Sequence, residues 1–486
     1  MNRVDLIPPA AADALAAAPL LNCLLREVAE RLPGSGELRT YSLPSGRLLR
    51  VRGDRRPADP EVDTGGHWQR IGHTELVKFV VEELTRHTGL SNPDLLAEMI
   101  DSREAVAAIL AARARATPPM DPYLLSEQSL LTGHPYHPAP KARGGGPVAG
   151  WLPYAPEAHA RFPLTLLGVR EDTVVDEGDT AALDALGAAP PGYRLLPAHP
   201  WQLDLVDLSD AFADGRLIRL GITGFEAWPT AAIRTLYAPE QDLFLKFSLD
   251  VRITNDIRRL WRHDLLRLRT TDTAAARAFA GGPGAWLSDR GYRTADFAFE
   301  ELAVLVRDGF HGHLEAGATP LLAAGLVEGF EGSPSGGAAW WEAYLRAVVP
   351  PALAAFADHG VVLEAHLQNT LVAVDADGTP VQALFRDAEG VKLVSDVGRA
   401  AGWERLGYTL VVNHLCEVAA VLAERRPGLD PWPAVRRELA RHDLPEIRAL
   451  LASPTLPGKT NLLLRWTGAD GADARYLPLP NPLAAT

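Results

Sequence analysis

The residues best suited to chemistry lie between 359 and 390, where the chain reads HGVVLEAHLQNTLVAVDADGTPVQALFRDAEG. Apolar runs on both sides of a DADG turn predict two buried strands that form a hairpin. Because alternate side chains of a strand share a face, Glu364, His366 and Gln368 are expected to project to one side. The second strand is expected to end at the Arg-Asp pair 386–387. This set indicates a site for a nucleotide, a metal or both, although a hairpin with one solvated polar face would show the same alternation.

A second group of candidates lies in residues 133–146, GHPYHPAPKARGGG. His134 and His137 are each followed by proline, which restricts the local backbone. Lys141 and Arg143 come next, so two imidazoles, an ammonium and a guanidinium share one short loop that is typical of an anion receptor. The H-x-x-H spacing could suggest zinc, but the prolines interrupt a helical ligand face and no third ligand follows nearby. A surface turn with incidental basic residues is the alternative.

The segment 229–263, PTAAIRTLYAPEQDLFLKFSLDVRITNDIRRLWRH, supplies further cations. Lys246 lies in an apolar run that predicts a strand, and a buried ammonium there needs an anionic partner such as a bound phosphate or carboxylate. Thr254 is placed to cap a helix that begins NDIRRLW, with Arg258 about one turn inside it. Free amides, the helix dipole and the guanidinium would then converge on an anion. The alternative is a snorkelling lysine and an ordinary capping threonine.

Other motifs are weaker. His199 in AHPWQ is expected to serve packing rather than catalysis. GKTNLLLRW, residues 458–466, ends like a phosphate loop but lacks the G-x-x-x-x-G-K-[ST] spacing. No G-x-G-x-x-G follows a predicted strand and no G-x-S-x-G occurs, so a dinucleotide fold and a nucleophile elbow are not expected.

Bulk composition narrows the function classes. The 486 residues are 47% hydrophobic and 22% charged, with a net charge of −13, so general nucleic-acid binding is not expected. Cys23 and Cys416 form neither a disulfide framework nor a CxxC metal motif. The apolar N-terminal stretch resembles an amphipathic helix rather than a signal peptide, and no uninterrupted apolar run reaches about 18 residues. The sequence predicts a cytoplasmic protein without a membrane span.

These elements predict an α+β protein of three lobes. Residues 1–118 are expected to be mainly helical, with Asn92 capping a helix that begins at Pro93. Residues 119–332 mix strands and loops and carry the cationic motifs. Residues 333–486 are expected to contain a long helix interrupted at Pro350-Pro351, the hairpin and further helices.

Over roughly residues 120 to 470 the chain resembles the IucA/IucC family of siderophore synthetases. The resemblance rests on short motifs that occur in the family's order: GHPYHPAPKAR, HPWQ, IRT, K-F-S-x-D-x-x-I-T-x-x-x-R, E-A-H-x-Q-N and F-R-D-x-x-G. The resemblance implies a hand-like fold of thumb, fingers and palm that is often dimeric. It also implies activation of a carboxylate with Mg-ATP to an acyl-adenylate, with release of pyrophosphate. An amine or hydroxyl would then attack, giving an amide or ester and AMP.

Motif by motif, the resemblance also implies roles for individual residues. The ATP-binding set is Lys246, Arg258, Glu364, His366, Gln368, Asn369 and Asp387, of which Glu364 and Asp387 would hold Mg²⁺. The substrate-binding set is His134, His137, Lys141, Arg143, Arg234, Thr254, Arg258 and His366. The residues expected to act in catalysis are Lys246, Arg258, His137 and His366, and the two histidines are candidate general bases for the second step.

One departure from the family pattern concerns Ala232, where a serine is common two residues before the arginine of the RT pair. Because this hydroxyl is missing, the acid substrate could be citrate, a citryl-amine half-product or another dicarboxylate such as 2-oxoglutarate.

A small-molecule kinase is the alternative enzyme class, with Asn369 and Asp387 holding Mg²⁺. This sequence, however, lacks the catalytic Asp that usually follows the histidine in such kinases, and it lacks a glycine-rich phosphate lid. A non-catalytic carboxylate-binding or iron-siderophore-binding protein would need neither Mg²⁺ nor an adenine pocket.

Overall fold

The computed structural model describes residues 9–34, 36–334, 336–469 and 475–484, and the fold is a mixture of α-helices and β-sheets, as predicted. The N-terminal region contains three long helices and five short strands. These are α1 (Pro9–Glu27), β1 (Glu30–Arg31), β2 (Leu38–Ser42), β3 (Leu48–Arg52), β4 (Ala58–Asp63), β5 (Trp68–Arg70), α2 (His73–Thr88) and α3 (Pro93–Arg113).

The five strands form one antiparallel sheet in the order β1-β2-β3-β4-β5, so the expectation of a mainly helical lobe is wrong for residues 30–70. The strands have two to six residues and carry many charges, which hid their alternation. The predicted cap of α3 is confirmed, because the Asn92 side chain accepts a hydrogen bond from the Leu95 amide. Leu462 and Trp466, from near the end of the chain, complete the core of this region.

The middle of the chain is rich in strands. Its elements are α4 (Pro122–Glu127), α5 (Val148–Trp151), β6 (Thr165–Arg170), β7 (Val174–Gly178), α6 (Ala181–Asp184), β8 (Tyr193–Ala198), α7 (Pro200–Leu205), α8 (Ser209–Ala213), β9 (Leu217–Ile222), β10 (Trp228–Pro229), β11 (Thr235–Ala238), β12 (Leu243–Phe247), β13 (Arg252–Ile253), β14 (Asp256–Ile257), α9 (Arg262–Phe279), β15 (Ala285–Leu287), β16 (Asp289–Ala295), β17 (Val304–Asp308), β18 (Thr319–Leu322) and α10 (Ala323–Glu328).

The principal sheet of this region is antiparallel and has the order β10-β11-β12-β17-β16-β7. Lys246 on β12 lies opposite Leu305 on β17, and Phe244 lies opposite Arg307. Residues directly opposite one another and two apart along a strand share a face, so Lys246 and Arg307 project from the same side of the sheet. A separate three-stranded sheet, β8-β6-β9, packs with the apolar face of this one in a common core.

The prediction of a helix that begins at NDIRRLW is wrong. Thr254 has φ of +60° and lies in the tight turn between β13 and β14, while α9 begins only at Arg262. The Arg258 guanidinium donates a 2.7 Å hydrogen bond to the Ile253 carbonyl, which closes the turn. No helix dipole is therefore available beside Thr254.

The C-terminal region consists of helices around a small sheet. Its elements are α11 (Ala338–His359), β19 (Val361–Val362), β20 (Thr370–Val374), β21 (Pro380–Arg386), β22 (Lys392–Leu393), α12 (Val394–Val397), α13 (Arg399–Leu406), a π-helical segment (Gly407–Leu415), α14 (Cys416–Arg425), α15 (Trp432–Ala440), α16 (Pro445–Ala452), β23 (Thr455–Lys459), α17 (Asn461–Trp466) and β24 (Tyr476–Pro480). The lobe boundaries near 118 and 332 stay a prediction.

The helix α11 runs unbroken through Pro350 and Pro351, so the predicted interruption is wrong. Proline removes a backbone hydrogen bond but need not end a helix that its surroundings hold in place. Here Val348, Val349 and Leu353 are buried in the largest core of the molecule, which holds the helix on both sides of the prolines.

The predicted hairpin is confirmed for β20 and β21, which pair antiparallel around the DADG turn. The expectation for the residues before it is wrong, because the first strand begins only at Thr370. Residues 363–369 form an irregular loop, and the short strand β19 pairs with β22 rather than extending the hairpin. Strand alternation therefore does not set the directions of Glu364, His366 and Gln368.

One helical stretch among the described residues, Arg399–Arg425, is long and apolar enough to cross a membrane. Its apolar window is 78% buried inside the protein. A core helix of a soluble protein has the same properties, so this stretch is weak support for a membrane span.

Candidate functional site

The centre of the candidate site is Lys246, whose side chain is only 5% exposed. Its ammonium donates to the carboxylates of Asp387 and Glu389, which follow β21. The anionic partner that the sequence demanded for a buried lysine is thus supplied from within the chain. The ion pairs join the sheet that carries β12 to the end of the hairpin.

Asp387 is held from a second side as well. The Arg307 guanidinium donates a 3.0 Å hydrogen bond to Asp387 Oδ1 and pairs with the fully buried Asp289. Burial alone would raise the pKa of Asp387, but Lys246 and Arg307 hold it well below its usual range. Asp387 has φ of +85°, a left-handed conformation that is uncommon outside glycine and that directs the chain sharply away from β21.

Two further guanidinium groups approach the same carboxylates. Arg234 Nη2 lies 3.6 Å from Glu389, and its Nη1 donates to the main-chain carbonyls of Arg258 and Arg259 at 3.0 Å each. Burial and the neighbouring Arg234 lower the pKa of Arg258 to about 10, while Asp387 and Glu389 oppose that change. Arg258 also donates to the Thr254 hydroxyl at 2.5 Å. The structure therefore brings Lys246, Arg234, Thr254 and Arg258 together.

The irregular loop 363–369 forms the other wall. Glu364 accepts a 2.8 Å hydrogen bond from Arg405 and lies so close to Gly390 that a Cβ there would come within 2.4 Å of its Oε2. Desolvation lowers the pKa of His366, and the nearby Glu364 and Asp387 oppose this effect. Glu364, His366 and Asp387 therefore share one electrostatic environment even though they do not share a strand.

Gln368 and Asn369 are positioned through their backbones by Arg386. Its guanidinium donates to the Gln368 carbonyl at 2.8 Å, and its amide donates to the Asn369 carbonyl at 3.2 Å. Arg386 is itself buried and pairs with Glu127 at 2.7 Å. Arg386 is thus a structural brace of the site.

The two histidines of the GHPYHP loop reach the same region. His134 interacts electrostatically with His366 and Lys459, and it is exposed to solvent. His137 is 1% exposed and neighbours Arg258, and desolvation holds its pKa well below the usual range. The nearby Asn255 side chain acts in the opposite direction and raises the pKa of His137. His137 Nε2 and Asn255 Oδ1 are both buried, and neither atom has a hydrogen-bond partner.

Lys141 and Arg143 are placed differently from the histidines of their loop. Both are buried and form ion pairs with Glu157, and Arg143 Nη2 lies 3.1 Å from the Glu157 carboxylate. Burial by itself would raise the pKa of Glu157, but the two neighbouring cations lower it to about 2. These charges stabilise the interior beneath the loop. His199 is likewise buried, among the rings of Tyr154, Phe162 and Phe247, in agreement with a packing role.

Sequence reasoning missed four residues of the site: Glu389, Arg307, Arg405 and Lys459. Lys459 precedes α17 and has its pKa lowered by desolvation, with Asp256 and Glu364 nearby opposing that change. Its motif, GKTNLLLRW, only partly matches a phosphate loop and gives no signal for this position. Glu389 carried a signal, because it follows Asp387 by two residues, but Arg307 and Arg405 lie in segments without a recognisable motif.

Ala232 lies in the loop between β10 and β11. Ile233 beside it has φ of +55°, which is strained for a β-branched residue. Glu127 holds this loop by accepting a 2.9 Å hydrogen bond from the Ala231 amide, and the same carboxylate pairs with Arg386. Glu127 thus connects the loop that carries Ala232 to Arg386 at the end of the hairpin.

Within the described ranges, no group of three or more His, Cys, Asp or Glu side chains has metal-binding geometry. Glu364 and Asp387 nevertheless offer the hard oxygen donors that Mg²⁺ prefers. Mg²⁺ commonly takes only one or two carboxylates and completes its shell with water and substrate phosphates. The donor set fits a metal that arrives with a phosphate ligand.

Comparison with known proteins gives two family matches. Residues 122–328 match the model of the IucA / IucC family, and residues 338–474 match the model described as ferric iron reductase FhuF-like transporter.

The chain is 30% identical, over an alignment of 438 positions, to L-2,3-diaminopropanoate–citrate ligase of Staphylococcus aureus, and the alignment covers 75% of each chain. It is 28% identical, over an alignment of 575 positions, to the rhizobactin siderophore biosynthesis protein RhbC of Rhizobium meliloti, and the alignment covers 96% of this chain and 97% of the relative. Among solved structures, ATP-bound aerobactin synthetase IucA from Klebsiella pneumoniae superposes with a TM-score of 0.79 at 21% identity, covering 97% of this chain and 100% of that chain. At that identity the superposition establishes the fold.

Proposed function

This chain belongs to the IucA/IucC family of siderophore synthetases, and from that premise we propose that it activates a citrate-like carboxylate with ATP and joins it to an amine or hydroxyl nucleophile. The products are the amide or ester, AMP and pyrophosphate. Both curated relatives named above are siderophore enzymes or citrate ligases by name, and the Klebsiella structure contains ATP. The observation that carries the proposal is the buried meeting of Lys246, Arg234 and Arg307 with Asp387 and Glu389.

Adenylation brings two polyanions together, which explains the number of cations. The carboxylate oxygen attacks the α-phosphorus while pyrophosphate leaves, so negative charge must be neutralised on both sides of that phosphorus. Lys246 and Arg258 would supply this by electrostatic stabilisation and positioning. In a partly enclosed site such charges act more strongly than in water.

The ion pairs of Lys246 suggest how ATP is admitted. Asp387 and Glu389 occupy the positions on Lys246 that an anionic ligand would take. Phosphates would replace one of these carboxylates on Lys246, and the freed carboxylate oxygens would be available to the metal. Glu364 and Asp387 would hold Mg²⁺, which supplies charge neutralisation of the phosphates when bound.

The remaining roles rest on position and family membership. Gln368 and Asn369 would contact the nucleotide beside His366. His134, His137, Thr254 and Arg234 would bind the carboxylate substrate. Lys141 and Arg143 would act on it only indirectly, by fixing the loop, because both are buried and paired with Glu157. The protein would work in the cytoplasm as a homodimer.

A substrate matrix tests the proposal. Purified protein is incubated with ATP and Mg²⁺, each of several carboxylic acids and each of several amines, and the nucleotide products are separated. AMP and pyrophosphate that depend on a citrate-like acid would support the proposal. ADP as the product would replace it with a phosphotransferase, and no nucleotide turnover with any acid would remove the catalytic assignment.

A further inference from the structure

Three histidines at the candidate site share one hydrogen-bond arrangement. In each, Nδ1 accepts from the backbone amide two residues later: His134 from Tyr136 at 3.1 Å, His137 from Ala139 at 3.1 Å and His366 from Gln368 at 3.2 Å. The three rings come from two separate segments of the chain, so the arrangement is a repeated local feature.

The sequence explains the first two cases. A proline follows each histidine and has no N–H, so the amide of the next residue is the first one available to the ring. The fixed φ of proline turns the chain so that this amide points back. His199, also followed by proline, accepts from the Trp201 amide at 3.2 Å in the same way, although it lies in the core.

This geometry fixes where the ring carries its proton. A backbone amide can only donate, so Nδ1 must present its lone pair to it. A neutral imidazole bonded in this way carries its hydrogen on Nε2. Nδ1 cannot take up a proton without losing the amide hydrogen bond and opposing an N–H group.

We propose that His134, His137 and His366 serve the reaction as neutral Nε2–H donors to the oxygens of the carboxylate substrate and its adenylate, and that none of them is the general base. This inference rests on the proposed function. A base needs a free lone pair, but Nε2 already carries hydrogen and the lone pair of Nδ1 is used by the amide. The expectation that His366 or His137 removes a proton is thereby replaced.

The second step then proceeds without a histidine base. The lone pair of the amine nitrogen forms a bond to the acyl carbon, and the bond from that carbon to the AMP oxygen breaks, with its electron pair leaving on AMP. The proton on nitrogen passes to water. The Nε2–H groups stabilise the negative charge on the carbonyl oxygen as the tetrahedral intermediate forms.

Two substitutions at His134 separate a donor from a base. His134→Asn can keep the turn, because its carbonyl oxygen can accept from the Tyr136 amide, but it has no donor at the position of Nε2. His134→Gln places an amide N–H close to that position. We expect the Gln variant to retain at least about tenfold higher kcat/KM than the Asn variant, a difference of about 1.4 kcal/mol in transition-state binding. Equal losses in the two variants would overturn the inference.

A spectroscopic readout is independent of turnover. In full-length protein labelled with ¹⁵N-histidine, the His134 signals are assigned by their absence in His134→Asn. A protonated Nε2 and an unprotonated Nδ1 at pH 7.5 are expected, and a protonated Nδ1 would overturn the inference. The exposed His359, at the end of α11, supplies a control ring outside the site. If the wild type forms no AMP with any acid, the proposed function fails, while the NMR result still decides the tautomer.

Discussion

Lys246 and Asp387, 141 residues apart in the chain, form a buried ion pair that joins the principal sheet to the end of the β20–β21 hairpin. Neither partner is neutralised by local sequence, so each depends on the long-range fold for its counter-charge. Glu389 binds the same ammonium, and Arg307 binds the same carboxylate. The pair therefore sets the charge balance of the site.

Removing the ammonium is expected to affect both stability and catalysis. Lys246→Met leaves Asp387 paired with Arg307 alone and Glu389 with Arg234 at 3.6 Å, and it is expected to destabilise the fold by up to about 3 kcal/mol. AMP formation should fall at least about 100-fold, because transition-state charge is no longer neutralised. The measurements are denaturant unfolding and AMP production.

A double variant distinguishes the two effects. Lys246→Met with Glu389→Gln removes one of the two carboxylates that lose the ammonium and should be more stable than Lys246→Met alone. It should not recover AMP formation. Recovery of turnover by the double variant would mean that Lys246 acts only as a structural partner of Glu389.

Arg258 is expected to contribute to adenylation beyond its place in the β13–β14 turn. Arg258→Ala should lower AMP formation at least about 100-fold, through loss of a cation beside the reacting phosphate. Arg252→Ala is the matched control, since Arg252 also braces this turn, by donating to the Asn255 carbonyl at 2.6 Å. Comparable losses in both variants would assign the effect to the turn. Near wild-type turnover in both the Lys246 and Arg258 variants would refute the anion-site account.

His366 is expected to assist the reaction measurably. His366→Ala should reduce kcat/KM by at least about tenfold, equivalent to about 1.4 kcal/mol of transition-state stabilisation. His359→Ala, at an exposed helix end, should leave the rate unchanged. An unaltered rate in His366→Ala would mean that the loop 363–369 has no part in the chemistry.

Glu157 is expected to make stability depend on pH. Its pKa is lowered to about 2 in the folded protein by Lys141 and Arg143, against a usual value of 4.5. A carboxyl group with a lowered folded pKa stabilises the fold above the unfolded value, and that contribution is lost as the pH falls through about 4.5 towards 2. Glu157→Gln should therefore cost about 3 kcal/mol near pH 7, and the difference from wild type should shrink below pH 4.5.

The control for this prediction is Glu226→Gln, which removes an exposed carboxylate paired with Arg161. An exposed pair contributes about 0–1 kcal/mol. Urea unfolding at several pH values measures both variants. A constant difference between Glu157→Gln and wild type across the pH range would contradict the assignment of the buried Lys141–Glu157–Arg143 cluster as the cause.

The sequence predicted the parts of the site that depend on local pattern. The DADG turn indicated the hairpin, and the apolar run around Lys246 indicated both its strand and its need for an anion. The partner of Lys246 could not be identified from spacing, because antiparallel pairing and the chain direction after Asp387 decide it. Arg307 and Arg405 were missed for the same reason.

Errors arose where local rules compete. Thr254 satisfied the preference for a helix cap, but the chain turns there with positive φ and closes through Arg258 instead. The alternation of Glu364, His366 and Gln368 imitated a strand, whereas these residues form a loop braced by Arg386. In the N-terminal region, short charged strands gave too little apolar periodicity to distinguish the five-stranded sheet.

Adenylation of a carboxylate at Lys246 and Arg258 is the step on which the proposed function depends. Exchange of labelled pyrophosphate into ATP, with Mg²⁺ and a citrate-like acid but without any amine, tests this step directly. Exchange that requires the acid and is lost in Lys246→Met is the predicted result. Absence of exchange, together with ADP as the nucleotide product in the complete reaction, would contradict the account.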